Sequence, residues 1–197
     1  MRFESVFGRI FEMFEREISK QLSLWWTDGK RDDVFWRTSI SGGRATVRYG
    51  QGKKTFGQQG DIQATDPIGQ PLIDVCTIEL KRGYSTTTFA GLLDKPDSAV
   101  NEPFEKFIIQ AQEDHKKAGS LSWLLIVKRD RRKAMIYMPS RFFRGTLFAI
   151  RAWSSKASIR YKTKKEKRAN ITGVLFDEFL KNLSPKDIKI ICKNNKR

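Results

Sequence analysis

The chain has 197 residues and a mass of 22.8 kDa, and its 38 Lys and Arg against 22 Asp and Glu give a formal charge of +16. Hydrophobic residues make up 39% and aromatic residues 12%, enough to fill a core, which excludes a disordered chain. No apolar run reaches the ~18 residues of a membrane span, and the amino terminus, with acids throughout its apolar pattern, does not resemble a signal peptide. Two cysteines cannot form a disulfide framework. We therefore expect one compact domain in a reduced, cytoplasmic setting, with no membrane partner.

The apolar pattern of the first two thirds predicts an α/β fold. Residues 3–24 repeat apolar side chains at three- and four-residue spacing, which is typical of a helix, and 34–37 begin a strand. Asp61–Asp66 and Leu72–Lys81 are predicted as two strands joined by a turn at 67–71. A second amphipathic helix is predicted over 103–118, then a nearly continuous apolar strand over 121–128 and its partner over 133–138.

After residue 140 the pattern weakens. Residues 142–153 fit either a helix or a strand, 171–183 favour a helix, and 187–192 favour a last strand. The order of elements predicts an α/β sandwich with a central mixed β-sheet flanked by helices. We expect residues 1–140 to form this core, and residues 141–197 to form a basic C-terminal extension that packs on the core and contacts nucleic acid.

The positive charge lies almost entirely in the second half. Residues 101–197 hold 24 basic and 9 acidic residues, and so carry +15 of the +16. A field of this strength attracts polyanions, of which nucleic acid is the commonest inside cells. A solvated basic face, or a tail that touches anionic lipid, is the alternative. The side chains expected to contact nucleic acid are Arg131, Arg132, Lys162, Lys164 and Lys165 in the basic half, and Arg37, Ser41, Arg44, Lys53 and Lys54 around a glycine-rich loop and a hairpin tip of the first half.

One acidic stretch interrupts this basic chain. From Asp61 to Leu80 there are four acids and no Lys or Arg, and Lys81 follows at once. Antiparallel pairing across the predicted turn, with apolar residues matched, places Asp61 opposite Glu79, and side-chain alternation puts Lys81 on the face of Glu79. Two carboxylates so close repel unless they share a proton or a cation, and they suit Mg²⁺, for which Mn²⁺ is expected to substitute. The alternative is an edge strand with a Glu–Lys surface pair and an unrelated Asp.

The segments Gly60-Asp61-Ile62 and Ile78-Glu79-Leu80-Lys81 resemble the signature of the PD-(D/E)XK nucleases, a superfamily with a restriction-endonuclease-like core. Glu15-Arg16-Glu17-Ile18, Arg37 and Ser41-Gly42-Gly43 occur in the order found in archaeal-type Holliday junction resolvases. The resemblance covers about residues 3–138 of the chain.

The resemblance implies a set of active-site roles. It implies metal ligation by Asp61 and Glu79, catalytic assistance by Lys81 and a supporting role for Glu15. Many members of the superfamily also place a glutamine on the following helix, for which Gln110 is the candidate and Gln112 the alternative.

We therefore predict a Mg²⁺-dependent DNA endonuclease that hydrolyses phosphodiester bonds through a metal-activated water, with structure-specific cutting like that of a Holliday junction resolvase as the finer expectation. A homodimer is expected if the enzyme acts on two strands symmetrically. Small size and high basicity suit a phage or mobile-element protein. The alternatives are a non-catalytic nucleic-acid-binding module that retains the nuclease fold and a basic protein associated with RNA.

Overall fold

A five-stranded mixed sheet lies at the centre of the computed structural model, which describes residues 4–38, 59–94, 102–163 and 168–195. Its strands are β3 (Cys76–Gly83), β4 (Ser122–Arg129), β5 (Met135–Pro139), β6 (Ala157–Lys162) and β7 (Arg168–Leu175), and they lie in the order β3-β4-β5-β7-β6. β3 and β4 are parallel, whereas the other neighbours are antiparallel. Two short strands, β1 (Phe35–Arg37) and β2 (Ile62–Ala64), form a separate antiparallel ribbon.

Helices cover both faces of the sheet. They are α1 (Glu4–Trp26), α2 (Gln70–Val75), α3 (Pro103–Ala118), α4 (Ser140–Arg144), α5 (Phe176–Asn182) and α6 (Pro185–Asn195), with 3-10 turns at Pro67–Gly69, Phe89–Leu92 and Leu147–Ile150. The predicted α/β sandwich with a mixed sheet is confirmed, as are the predicted helices that became α1 and α3. Within the described ranges no helix has the length and apolar character needed to cross a membrane.

The residues of β4 alternate between two hydrophobic cores. Leu124 and Ile126 pack in the core that holds Phe14 of α1, whereas Leu125 packs with Phe104 of α3 on the opposite face. The predicted strand covered on both faces is therefore confirmed, because alternating side chains of a central strand supply both cores at once.

The predicted hairpin between Asp61 and Lys81 is wrong. Asp66 caps a 3-10 turn by accepting a hydrogen bond from the Ile68 amide at 3.0 Å, and the chain continues directly into α2. Leu72 and Val75, one helical turn apart, are both buried. β2 pairs with β1 instead of β3. Proline early in each of these two helical segments favours a helical start as readily as a turn, which explains the error.

Two C-terminal predictions are also corrected. Residues 171–175 belong to β7, and only 176–182 form the expected helix. Residues 187–192, predicted as a strand, lie in α6. Ser184 and Asp187 exchange hydrogen bonds around Pro185 at its start, which is a capping arrangement visible in the sequence. Residues 142–153 contain the end of α4 and a 3-10 turn.

Part of the segment 141–197 is built into the sheet. β7 pairs with β5 from Pro139↔Ile171 to Met135↔Leu175, and β6 extends the sheet beyond β7. The sheet therefore crosses the position at which the sequence places the boundary between core and extension. The contact of this segment with nucleic acid stays a prediction.

Candidate active site

β3 presents its polar residues to α3. Its apolar residues Cys76, Ile78 and Leu80 are buried in the core on the α1 side. Glu79 and Lys81 point to the other face, where both contact Gln110 of α3. The predicted alternation along β3 is therefore correct, although the strand begins only at Cys76.

Asp61 lies against the edge of β3, just before β2 begins. Its amide donates to the Ile78 carbonyl at 2.8 Å, and its carboxylate accepts a hydrogen bond from the Leu80 amide at 2.7 Å. Gly60 allows this approach: its φ is +78°, and a Cβ there would come within 2.8 Å of the Ile78 carbonyl and of the Thr77 methyl group. The predicted proximity of Asp61 to Glu79 is thus found, but it arises from a close backbone approach and not from hairpin pairing.

Gln110 joins the acid and the base of the E-x-K segment. Its amide nitrogen donates to Glu79 Oε2 at 3.0 Å, and its amide oxygen accepts from Lys81 Nζ at 2.9 Å. The ammonium lies 3.6 Å from Glu79 Oε2. Each end of the amide faces the partner of complementary hydrogen-bonding character, which fixes its orientation. Of the two glutamines that the sequence offers, Gln110 is the one that contacts both residues.

Burial and neighbouring negative charge disfavour the charged forms of Asp61 and Glu79. Glu79 is 1% exposed, and burial raises its pKa well above the ordinary value, assisted by the charge of Asp61. Burial also raises the pKa of Asp61, against the opposing effects of the Leu80 amide and the Lys81 ammonium. Desolvation and like charge both penalise ionisation, and a shared proton or a bound cation would relieve this penalty.

Asp114 is a third acid at the site, and the sequence analysis missed it. It hydrogen-bonds to Glu79, and its charge raises the pKa of both Glu79 and Asp61. It also forms an ion pair with Lys117 at 3.4 Å. The signal for it is its spacing: Asp114 follows Gln110 by four residues, which puts both on the same face of α3.

Glu15 approaches the site from α1. It is 6% exposed, and burial followed by the charge of Asp61 raises its pKa to about 7. Arg37 of β1 opposes this shift: its Nη1 lies 3.2 Å from Glu15 Oε2 and 3.4 Å from Glu12 Oε1. The structure thus brings Glu15 near Asp61 and gives Arg37 two carboxylate partners.

The proposed nucleic-acid contacts fall into separate places. Arg131 and Arg132 are exposed in the turn after β4, beyond the same end of the sheet as Lys81. Lys162 is exposed at the end of β6, on the other edge strand and at the opposite end of the sheet. Four strand spacings of ~4.8 Å separate β3 from β6, so a nucleic acid that reached both would have to extend about 20 Å across the sheet. The other predicted contacts, Ser41, Arg44, Lys53, Lys54, Lys164 and Lys165, lie outside the described residues.

A family model described as "Phage putative PDDEXK endonuclease" matches residues 12–190. The chain belongs to this family. The match includes every candidate catalytic residue and confirms the resemblance to the PD-(D/E)XK superfamily, while the narrower likeness to archaeal-type Holliday junction resolvases stays a prediction. Searches of curated proteins and of solved structures found no significant match. Family membership supports a nuclease as the general activity and agrees with the expected phage association.

Proposed function

We propose that this family member is a Mg²⁺-dependent DNA endonuclease that hydrolyses phosphodiester bonds with an activated water. One observation carries the proposal: the buried Glu79 carboxylate is joined through Gln110 to the Lys81 ammonium, beside a second carboxylate held by the β3 backbone. An ion pair without a functional role usually lies on the protein surface, exposed to water, where it contributes little to stability. A buried acid–base group at an open sheet edge is typical of a reaction site.

The donor set fits a hard divalent cation. Asp61 and Glu79 supply carboxylate oxygens, and both are penalised for ionising without a positive partner. Within the described part of the chain no group of three or more His, Cys, Asp or Glu is arranged to hold a metal. Mg²⁺ normally takes one or two carboxylates and completes its shell with waters and phosphate oxygens, so Asp61 and Glu79 would hold it here. When bound, such an ion polarises the phosphate and lowers the pKa of a bound water.

The chain's own residues then orient the reactants. Lys81 is 9% exposed and carries its ammonium beside the carboxylates, where it can donate hydrogen bonds to the attacking water and stabilise negative charge on the phosphate. Gln110 and the Phe107 ring, 5.7 Å from Lys81 Nζ, restrict where that ammonium can go. We assign Glu15 a supporting role, because it lies close enough to Asp61 for the charge of Asp61 to raise the pKa of the Glu15 carboxyl group.

Plasmid nicking tests this assignment. Purified wild-type protein is expected to nick supercoiled DNA in Mg²⁺ or Mn²⁺ and not in EDTA, whereas Asp61→Asn and Glu79→Gln should abolish nicking. Both variants keep the side-chain shape and remove a charge that the fold already disfavours, so they should remain folded. Glu113→Gln, an exposed acid on the same helix as Gln110, is the charge-matched control and should nick at the wild-type rate.

Three outcomes separate the functions. Binding that is retained or strengthened in the Asp61 and Glu79 variants, together with lost cleavage, supports the nuclease. Salt-sensitive binding without nicking in any divalent ion would identify a non-catalytic binding module. Cleavage at full rate in both variants would refute the site. Linear, branched and four-way junction DNA in the same assay test the finer expectation of structure-specific cutting.

A further inference from the structure

Tyr84 is an exposed aromatic side chain three residues after Lys81. It is 48% exposed, directly beyond the carboxyl end of β3. About half of the Tyr84 surface is therefore open to solvent and accessible to a ligand.

The backbone at Tyr84 is held in a conformation that side chains rarely adopt. Gly83 has a φ of +99° and Tyr84 a φ of +21°, so two successive residues lie at positive φ. The Tyr84 carbonyl accepts a hydrogen bond from the Thr87 amide at 3.0 Å, which closes the turn. Glycine would adopt this geometry without strain, and strained residues of this kind concentrate at functional sites.

Tyr84 and Lys81 share a neighbour. The Tyr84 ring packs edge-on against the Phe107 ring at a centroid distance of 4.7 Å. Lys81 Nζ lies 5.7 Å from the centroid of the same ring. The distance from the centre of the Tyr84 ring to the Lys81 ammonium is therefore at most the sum of these two distances. That sum corresponds to about three stacking steps of ~3.4 Å along a nucleic acid strand.

We propose that Tyr84 stacks on an unpaired nucleobase within about three nucleotides of the phosphate that is cut. In a paired duplex both faces of each base are covered by its neighbours, so only an unstacked base offers a face to the ring. The substrate class that follows is DNA with an unpaired nucleotide beside the cut phosphate. This inference rests on the proposed function, because it takes the phosphate to lie at Lys81.

Fluorescence of 2-aminopurine tests the stacking directly. The probe is a DNA duplex with a three-nucleotide bulge that contains 2-aminopurine, compared with the same labelled strand fully paired, both with Ca²⁺ in place of Mg²⁺. Wild type and Tyr84→Phe should quench the bulged probe. Tyr84→Leu should lose the quenching and bind the bulged probe about 5- to 150-fold more weakly, with little change for the paired duplex.

Tyr84→Gly keeps the experiment decisive if the leucine variant folds poorly. Glycine relieves the positive φ, which offsets part of the lost contact with Phe107, so this variant should fold while it loses the same affinity and quenching. Equal quenching and affinity in the wild type and the glycine variant would overturn the proposal. A loss in Tyr84→Phe as large as in Tyr84→Leu would overturn it as well, because the ring would not then be the binding group.

Nicking in Mg²⁺, measured in parallel, separates the two proposals. Quenching that depends on Tyr84 without any nicking by the wild type would refute the endonuclease and leave the stacking intact. Nicking by the wild type without any effect of Tyr84 substitutions on binding, quenching or KM would refute the stacking alone.

Discussion

Gly60 offers a sharp test of how the fold places Asp61, the first of the two acids proposed to hold the metal. An alanine there meets two penalties: the left-handed backbone at φ +78°, and a Cβ that would lie 2.8 Å from the Ile78 carbonyl. Gly29 is a matched control, because its φ is +80° and a Cβ at that position would have no atom within 4 Å. The two substitutions therefore share the backbone penalty and differ in the contact with β3.

The magnitudes follow from these contacts. The left-handed conformation costs an L-residue about 1–2 kcal/mol, which is the whole expected loss for Gly29→Ala. In Gly60→Ala the chain must also move away from β3, which breaks the 2.7 Å hydrogen bond from the Leu80 amide to Asp61. A hydrogen bond to a charged group contributes about 1.5–3 kcal/mol, so the expected total is about 2.5–5 kcal/mol. A displacement of about 1 Å at a reacting group lowers the rate about 100-fold.

Two assays measure these effects. Urea unfolding, followed by tryptophan fluorescence, gives the free energy of unfolding of each variant, and plasmid nicking in Mg²⁺ gives the rate. We expect Gly29→Ala to nick at the wild-type rate. If Gly60→Ala lost no more stability than Gly29→Ala and nicked as fast, the close approach of Gly60 to β3 would not be what positions Asp61.

Three further predictions concern the pH dependence, the bridging amide and the basic turn. Burial, with a neighbouring carboxylate, raises the pKa of Glu15 from 4.5 to about 7, so the stability it contributes is complete below pH 4.5 and is lost as the pH rises through about 7. In urea unfolding with EDTA, the free energy of unfolding of Glu15→Gln relative to that of the wild type should therefore rise by about 3 kcal/mol between pH 4.5 and pH 8. A difference that does not change with pH would contradict this. Gln110→Ala should lower kcat about 100-fold with little change in KM, while Gln112→Ala leaves both unchanged; equal effects in steady-state nicking would exclude a bridging role. Alanine at Arg131 or at Arg132, the two exposed arginines of the β4–β5 turn, should reduce the slope of log Kd against log salt by about 1. An unchanged slope would mean that the DNA does not contact this turn.

Long periodic segments could be predicted from the sequence. α3 was predicted at its exact bounds, because apolar residues repeat at helical spacing and Gly119 marks its end, where the structure has the left-handed conformation. β4 was equally clear, since few soluble segments are apolar on both faces. These signals are local, and tertiary contacts did not override them.

Short segments were decided by packing. Residues 187–192 have the composition of a strand, yet they form part of α6, which begins at the Ser184–Asp187 capping arrangement and packs against α2. Residues 171–175 continue into the sheet as β7, where Gly173 lets the Tyr137 ring approach so closely that a Cβ would lie 2.5 Å from it. Neither contact leaves a mark in the local pattern, because the partners lie far apart along the chain.

The residue types of the candidate site were determined by the sequence alone. They are two acids and a lysine at fixed spacing, and strand alternation requires Glu79 and Lys81 to share a face. Their surroundings were not determined by the sequence alone. Only the packing of α3 on β3 decides that Gln110 bridges the acid and the base and that Asp114 lies beside them, since helical periodicity specifies which residues share a face and not which strand that face meets. The approach of Asp61 likewise depends on a backbone contact between segments that do not pair as a hairpin.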